Sequence, residues 1–227
     1  MQVKVVARWR IKGPEMEGGV ARWYSRIRGT KSQIEAYRKE AERLTRSLPE
    51  GAKVLEVAFG PGYLAIELAR FGRYRVSGLD ISHTFVKIAG QNAREAGVIA
   101  DFRQGDAAVM PFEAESFDLI VCQAAFKNFV HPGCALSEMH RVLRDGGIAL
   151  IQDMSSEATH ADIEREVNGM KLGWVSSFTT KATLEMLKRR AYSPARFEKL
   201  VAESPFKTCT ITREGIGLEV RLEKRVA

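Results

Sequence analysis

Three cysteines in 227 residues, none of them in a CxxC pair, are too few and too scattered for a disulfide framework. Cys122, Cys134 and Cys209 sit in apolar strand-like or helix-like settings and read as reduced core thiols. Histidine is almost as scarce. His83, His131, His140 and His160 lack the clustered spacing with cysteine or carboxylates that zinc needs, so no metal site is expected. No uncharged apolar run reaches the ~18 residues of a membrane-spanning helix. The opening MQVKVVARWRIK interleaves charge where a signal peptide needs a continuous apolar stretch, and a cytoplasmic location is expected. Acid is short of base, 28 residues against 35, giving a net charge of +7 and a pI near 9.4. That balance suits an anionic partner, either a phosphorylated or carboxylated small molecule or a nucleic acid. Basic residues concentrate at Arg22, Arg26, Arg28 and Lys31 and at Lys188-Arg189-Arg190. The aromatics that single-strand binders interleave with such charge are thin outside Trp23-Tyr24, so nucleic acid is the lesser reading. The chain has no internal repeat or low-complexity tract, and 45% hydrophobic with 28% charged residues is the balance of one globular domain.

What is present is concentrated at VLEVAFGPGYLAIELA, Val54 to Ala69, an apolar strand joined to an amphipathic helix through Gly60-Pro61-Gly62. Glycines remove Cβ atoms where backbone approaches a ligand, and the following helix offers free N–H groups at its start. Two glycines also suit a merely tight turn. Glu56 sharpens the signal, because a carboxylate in an apolar strand near the core needs a cationic or hydrogen-bonding partner. Downstream, RVSGLDIS ends a second strand at Asp80, where a carboxylate can accept ribose hydroxyls. FRQGDAAVMPF carries Asp106-Ala107 after a third strand, and SFDLIVCQAAF runs into Gln123 at the end of a fourth. Singly, Asp80 reads as a helix cap and Asp106 as a turn residue. Together the four strand ends converge on the crevice where open parallel sheets bind ligands.

VLEVAFGPG, GLDIS, QGDAAVMPFEAESFD and the RVLRDGG turn, taken in order from about Lys53 to Gln152, resemble the class I S-adenosylmethionine-dependent methyltransferases, in particular the small-molecule branch that includes ubiquinone/menaquinone-biosynthesis enzymes. The resemblance implies S-adenosylmethionine as cofactor and a small-molecule methyl acceptor. It implies that Glu56 meets the cofactor's amino group or its waters and that the Gly60–Gly62 backbone passes the methionine part. Asp80 would bind the ribose hydroxyls, Ile81 the adenine face, Asp106 the adenine amino group and the Ala107 amide a ring nitrogen, with Gln123 beside the sulfonium. One departure stands out: the usual first glycine is Ala58, followed by Phe59. The methyl group narrows the room for the carboxypropyl chain, and an ordinary negative φ at Ala58 is expected to accommodate it.

The same loop also fits GxGxxA at Gly60 to Ala65, with Asp80 about 20 residues on, so an NAD(P)-dependent oxidoreductase is an alternative. Against it, the dinucleotide fingerprint wants glycine directly at the strand end, and GDA with its following PF and FD has no part in a nicotinamide site. An RNA methyltransferase and a non-catalytic cofactor-binding scaffold are further alternatives.

The fold expected is α/β, a doubly wound Rossmann-like seven-stranded, mostly parallel sheet with one antiparallel C-terminal strand. Residues 1–47 form a helical N-terminal cover, with breaks at Gly13-Pro14 and Gly18-Gly19 and a helix from Ser32 to Ser47 opened by a Ser32-x-x-Glu35 capping box. Residues 48–227 form the cofactor-binding domain, with a helical insertion at about 159–192 and a terminal hairpin, Cys209–Arg213 and Leu218–Leu222. If the acceptor is a hydroxyl or carbon acid, a general base is needed near the methyl. Tyr24, Lys127, Asn128, His131 and Asp153 come from segments over the crevice, and Tyr24, His131 and Asp153 are the catalytic candidates. His131, just before Pro132, also reads as a helix N-cap, and Asp153 as a turn carboxylate. Trp23, Tyr24, Phe126, Phe129 and Trp174 are candidates to line a flat acceptor pocket, core packing being the other reading for the two phenylalanines.

Overall fold

The computed structural model describes residues 16–170 and 174–225. In chain order the elements are α1 (Gly18–Arg28), α2 (Lys31–Thr45), β1 (Lys53–Val57), α3 (Tyr63–Arg70), β2 (Arg75–Asp80), α4 (His83–Ala96), β3 (Asp101–Gln104) and β4 (Phe117–Gln123). There follow α5 (Pro132–Val142), β5 (Leu143–Met154), α6 (His160–Gly169), α7 (Trp174–Lys188), α8 (Pro194–Glu203), β6 (Thr210–Glu214) and β7 (Gly217–Glu223). One sheet has the order β3-β2-β1-β4-β5-β7-β6. Its strands are parallel except β7, which pairs antiparallel with both β5 and β6.

The central strands are apolar on both faces because helices cover both. Leu55, Val57, Ile120, Cys122 and Ile151 pack with Leu136 and Met139 of α5 and with Phe197 and Val201 of α8. Val54, Leu119, Val121 and Leu150 pack on the other face with Ala41 and Leu44 of α2 and with Leu64 and Leu68 of α3. Helix α2 is thus part of the sheet's own core. The strand order reverses between β1 and β4, which leaves a crevice beyond their carboxyl ends.

Local differences from the sequence reading have simple causes. The Gly13-Pro14 break lies outside the described residues, and Gly18-Gly19 opens α1 instead of interrupting it. The Ser32–Glu35 capping box does not form. Extended Thr30 takes the N-cap position without a side-chain bond, which puts Ser32 inside the first turn, and Glu35 faces Arg38. A capping box does form at α6, where Thr159 and Asp162 exchange both bonds. Helices α6 and α7 fill the expected insertion. They pack through Ile163, Val167, Leu184 and Leu187.

Candidate cofactor and acceptor site

Beyond β1 and β2 lies an open cavity lined by Val57 and Ala58, by Leu79 to Ile81, by Gly105 to Ala108 and by Phe129 to His131 with Ala135. Ala58, Asp80, Ile81, Asp106, Ala107 and His131 therefore share one cavity, though they come from four separate stretches of chain. Phe59 does not plug it. Its ring turns back between Phe102, 4.8 Å away, and the Phe85 and Ala89 side of α4, over Gly78, where a Cβ would come within 2.5 Å of the Phe59 ring.

The loop conformation differs from expectation at one residue. Ala58 has φ +58°, in the left-handed region that glycine occupies without cost, and its N–H donates to the Leu79 carbonyl at 2.7 Å. Gly60 and Gly62 are left-handed as well. A Cβ on Gly60 would meet only the Tyr24 ring at 3.9 Å, so that glycine keeps the loop rim open. A Cβ on Gly62 would come within 2.7 Å of Ala89, so that glycine serves helix packing.

The two buried carboxylates organise this loop. Asp80 accepts from Gly60 N and Ser82 N, one at each oxygen and both at 2.8 Å, which leaves each oxygen further acceptor capacity toward the cavity. Burial pushes its pKa up to about 6 despite those bonds. Glu56 accepts from Ala65 N at 2.8 Å, at the start of α3. Burial, with the Asp80 charge nearby adding to it, pushes Glu56 up to about 8. Asp106 accepts from Ala108 N at 2.8 Å and shapes the turn that presents the Ala107 segment.

Beside Tyr24, whose ring faces Gly60, stands a polar group that the sequence reading did not assign to the cofactor. Arg28 Nε donates to Tyr37 Oη at 2.9 Å, with its guanidinium over the Tyr37 ring, and no carboxylate among the described residues pairs with it. Burial pushes the Tyr37 phenol up to about 12, with Arg28, Tyr24 and Glu56 all acting on it, so these four groups stand together. Tyr24 lies edge-on to Phe85 at 5.9 Å. Arg28 was legible only as part of a basic cluster, because nothing in its spacing ties it to a glycine loop some thirty residues later.

Two expectations need correction, and Gln123, like Glu56, Gly60 and Gly62, is not among the cavity's lining residues. The Gln123 amide donates to Gln152 Oε1 at 2.6 Å, in a network that runs on through Glu40 and Glu219 to Arg43. Asp153 is not a free base. It accepts from Lys127 Nζ at 2.6 Å, Lys127 N at 3.0 Å and Met154 N at 2.8 Å, and the pair is buried. Trp23 and Trp174 are exposed and do not line this cavity, and Phe126 is a core residue stacked on Phe197. His131 occupies the N-cap position of α5 but makes no side-chain capping bond, which leaves its ring to the cavity.

A family model described as a methyltransferase domain matches residues 55–151. The phosphatidylethanolamine N-methyltransferase of Cereibacter sphaeroides is 32% identical over 63% of this chain and 75% of its own length. The chain belongs to the S-adenosylmethionine-dependent methyltransferases. The demethylmenaquinone methyltransferase of Deinococcus radiodurans is 34% identical over 47% of this chain and 45% of its own. Against the crystal structure of a SAM-dependent methyltransferase from Aquifex aeolicus, the TM-score is 0.66 at 17% identity, covering 88% of this chain and 96% of that one, which speaks for the fold. This methyltransferase spans about half the length of several curated relatives it matches.

The residues present suit the family's cofactor. A buried carboxylate with spare acceptors, a second acid beside small apolar residues and an uncompensated cation near an acid match, in turn, a ribose, an adenine and an amino-acid end.

Proposed function

We propose that this chain transfers a methyl group from S-adenosylmethionine to a small, largely apolar acceptor. The observation that supports this best is the meeting of Ala58, Asp80, Ile81, Asp106 and Ala107 in one cavity at the sheet's switch point. Asp80 holds the ribose hydroxyls, Ile81 and Phe129 flank the adenine, and Asp106 with the Ala107 amide reads its edge. Arg28 takes the cofactor's carboxylate and Glu56 its ammonium. When bound, the cofactor supplies a sulfonium-activated methyl, so the chain's own tasks are alignment, exclusion of water and removal of an acceptor proton. His131 is the group we assign to that proton, since it faces the cavity and caps nothing. The apolar acceptor is supported by Phe129 and Val130 in the lining and by the substrates that name the relatives, phosphatidylethanolamine and demethylmenaquinone. An exposed free thiol at Cys134 suits a reducing compartment such as the cytoplasm.

Binding decides between this reading and the dinucleotide one. S-adenosylhomocysteine should raise the melting temperature while NAD(P) leaves it unmoved, and the reverse would end the proposal. Asp80→Ala should abolish the shift. For His131→Ala, turnover should fall about 100-fold or more with cofactor affinity unchanged; full activity would remove His131 as the base.

A further inference from the structure

Helix α1 turns an apolar stripe outward. Val20, Trp23 and Ile27, at i, i+3 and i+7, are 45%, 60% and 44% exposed, while Ala21 and Ser25 of the same helix are buried. The helix cannot roll to hide the stripe because its inner side is pinned. Ala21 packs with Phe59, Phe85 and Ala89, Gly18 N donates to Thr84 Oγ1 at 3.0 Å, and Ser25 Oγ meets Tyr63 Oη at 3.2 Å. Exposed Arg22 and Arg26, one turn apart, run along one side of the stripe next to Trp23, and Lys31 follows at the start of α2. From Gly18 to Ile34 the chain has four basic residues, Arg22, Arg26, Arg28 and Lys31, and no acidic one. Arg22, Arg26 and Lys31 enter no ion pair among the described residues. The nearest acid, Glu17, is turned away, its carboxylate taking His83 N at 2.8 Å and Thr84 N at 3.0 Å at the start of α4.

We propose that α1 lies on the surface of an anionic lipid bilayer, with Val20, Trp23 and Ile27 entering the headgroup boundary and Arg22, Arg26 and Lys31 meeting lipid phosphates. An apolar stripe bordered by arginines, with an amphipathic tryptophan at its centre, is the pattern of an interfacial helix. Nucleic acid fits less well. Two of the three stripe residues are aliphatic and have no ring on which a base can stack. A protein partner needs no such uniform charge, whereas an anionic membrane does. No helix among the described residues is long and apolar enough to cross a membrane, so the contact is peripheral, and three apolar side chains need the charge as a second signal. Tyr24, one helical turn from both Val20 and Ile27, borders the stripe and faces Gly60, so docking brings the glycine loop, which adjoins the cavity at Ala58, toward the bilayer. An apolar acceptor then enters without crossing water.

The test is co-sedimentation of the full chain with vesicles of phosphatidylcholine alone or with about a third phosphatidylglycerol, at low and at about 0.5 M salt. The chain should pellet with the anionic vesicles only, and salt should release it. Arg22→Glu with Arg26→Glu, and separately Trp23→Ser with Ile27→Ser, should each weaken binding by roughly tenfold or more. Both variants should keep the wild-type melting temperature and its shift with S-adenosylhomocysteine, which separates a failure here from a failure of the cofactor reading. Absence of pelleting with anionic vesicles, or pelleting unchanged in both variants, overturns the proposal. Binding of single-stranded RNA that is lost in the Trp23→Ser, Ile27→Ser variant, without vesicle binding, overturns it in favour of nucleic acid.

Discussion

At position 58 a methyl group occupies a backbone conformation that costs an L-residue about 1–2 kcal/mol. The left-handed turn is held by the bond from Ala58 N to Leu79 O and by the closure of Gly60 N onto Asp80, so the surrounding hydrogen bonds over-determine it. Ala58→Gly removes the strain but adds about 0.5–1 kcal/mol of unfolded-chain entropy. The net expectation is a gain of up to about 1 kcal/mol in chemical denaturation, and a clear loss would show that the turn is not strained. The sequence gives no sign of this φ, because alanine is ordinarily right-handed and only the backbone reveals the exception. Arg28 makes a second prediction at this scale. Arg28→Met should lose a charge-assisted bond of about 2 kcal/mol, or roughly thirtyfold in affinity for S-adenosylhomocysteine. Affinity for 5′-methylthioadenosine, which lacks the amino-acid end, should not change. Equal losses for both ligands would mean that Arg28 merely supports α1.

Between elements, the decisive contact is the buried pair Lys127–Asp153, which ties the 3-10 turn Phe126–Asn128 to the end of β5. Lys127 also donates to Ala124 O at 2.6 Å, across another left-handed residue, so one ammonium closes the whole β4 exit. Polar residues at these strand ends were legible in the sequence as candidate catalytic groups, but their pairing was not. A strand's alternation gives the face a side chain takes and not its partner across the sheet. Removing one partner leaves a buried charge alone. Lys127→Met should therefore cost about 3–5 kcal/mol of stability, while Lys127→Met combined with Asp153→Leu should cost clearly less. Urea unfolding of the two variants and the wild type measures both. Were Asp153 the base instead, Asp153→Asn would abolish turnover in a fully stable protein.

For the whole molecule, the succession of strands and helices and the order of polar strand ends were readable because each crossover repeats the same pattern of apolar run, turn residue and amphipathic helix. Pro132 opening α5 is a local signal that the fold keeps, whereas the cap of α4 is Ser82, which accepts from Phe85 N, and not Asp80. What sequence could not supply was how the N-terminal segment closes on this frame. That closure depends on Glu17 and Ser82 bonds between residues more than sixty positions apart. Glu56 and Asp80 are both buried in the closed fold, and a pH dependence of the whole fold follows. Their folded pKa values, about 8 and about 6, lie above the ordinary values of 4.5 and 3.8. The unfolded chain therefore loses these protons first. Stability from these two groups is greatest in acid, falls as pH rises from the unfolded to the folded values, and is level above pH 8. The melting temperature of the ligand-free protein should decline between about pH 5 and 8. A cofactor ammonium beside Glu56 favours its carboxylate, so the thermal shift given by S-adenosylhomocysteine should grow over the same interval. Glu56→Gln removes the group with the higher value, and its melting curve should flatten above about pH 6. Parallel pH profiles for wild type and Glu56→Gln would mean that this carboxylate is already ionised in the empty protein and that α3, not the cofactor, is its lasting partner.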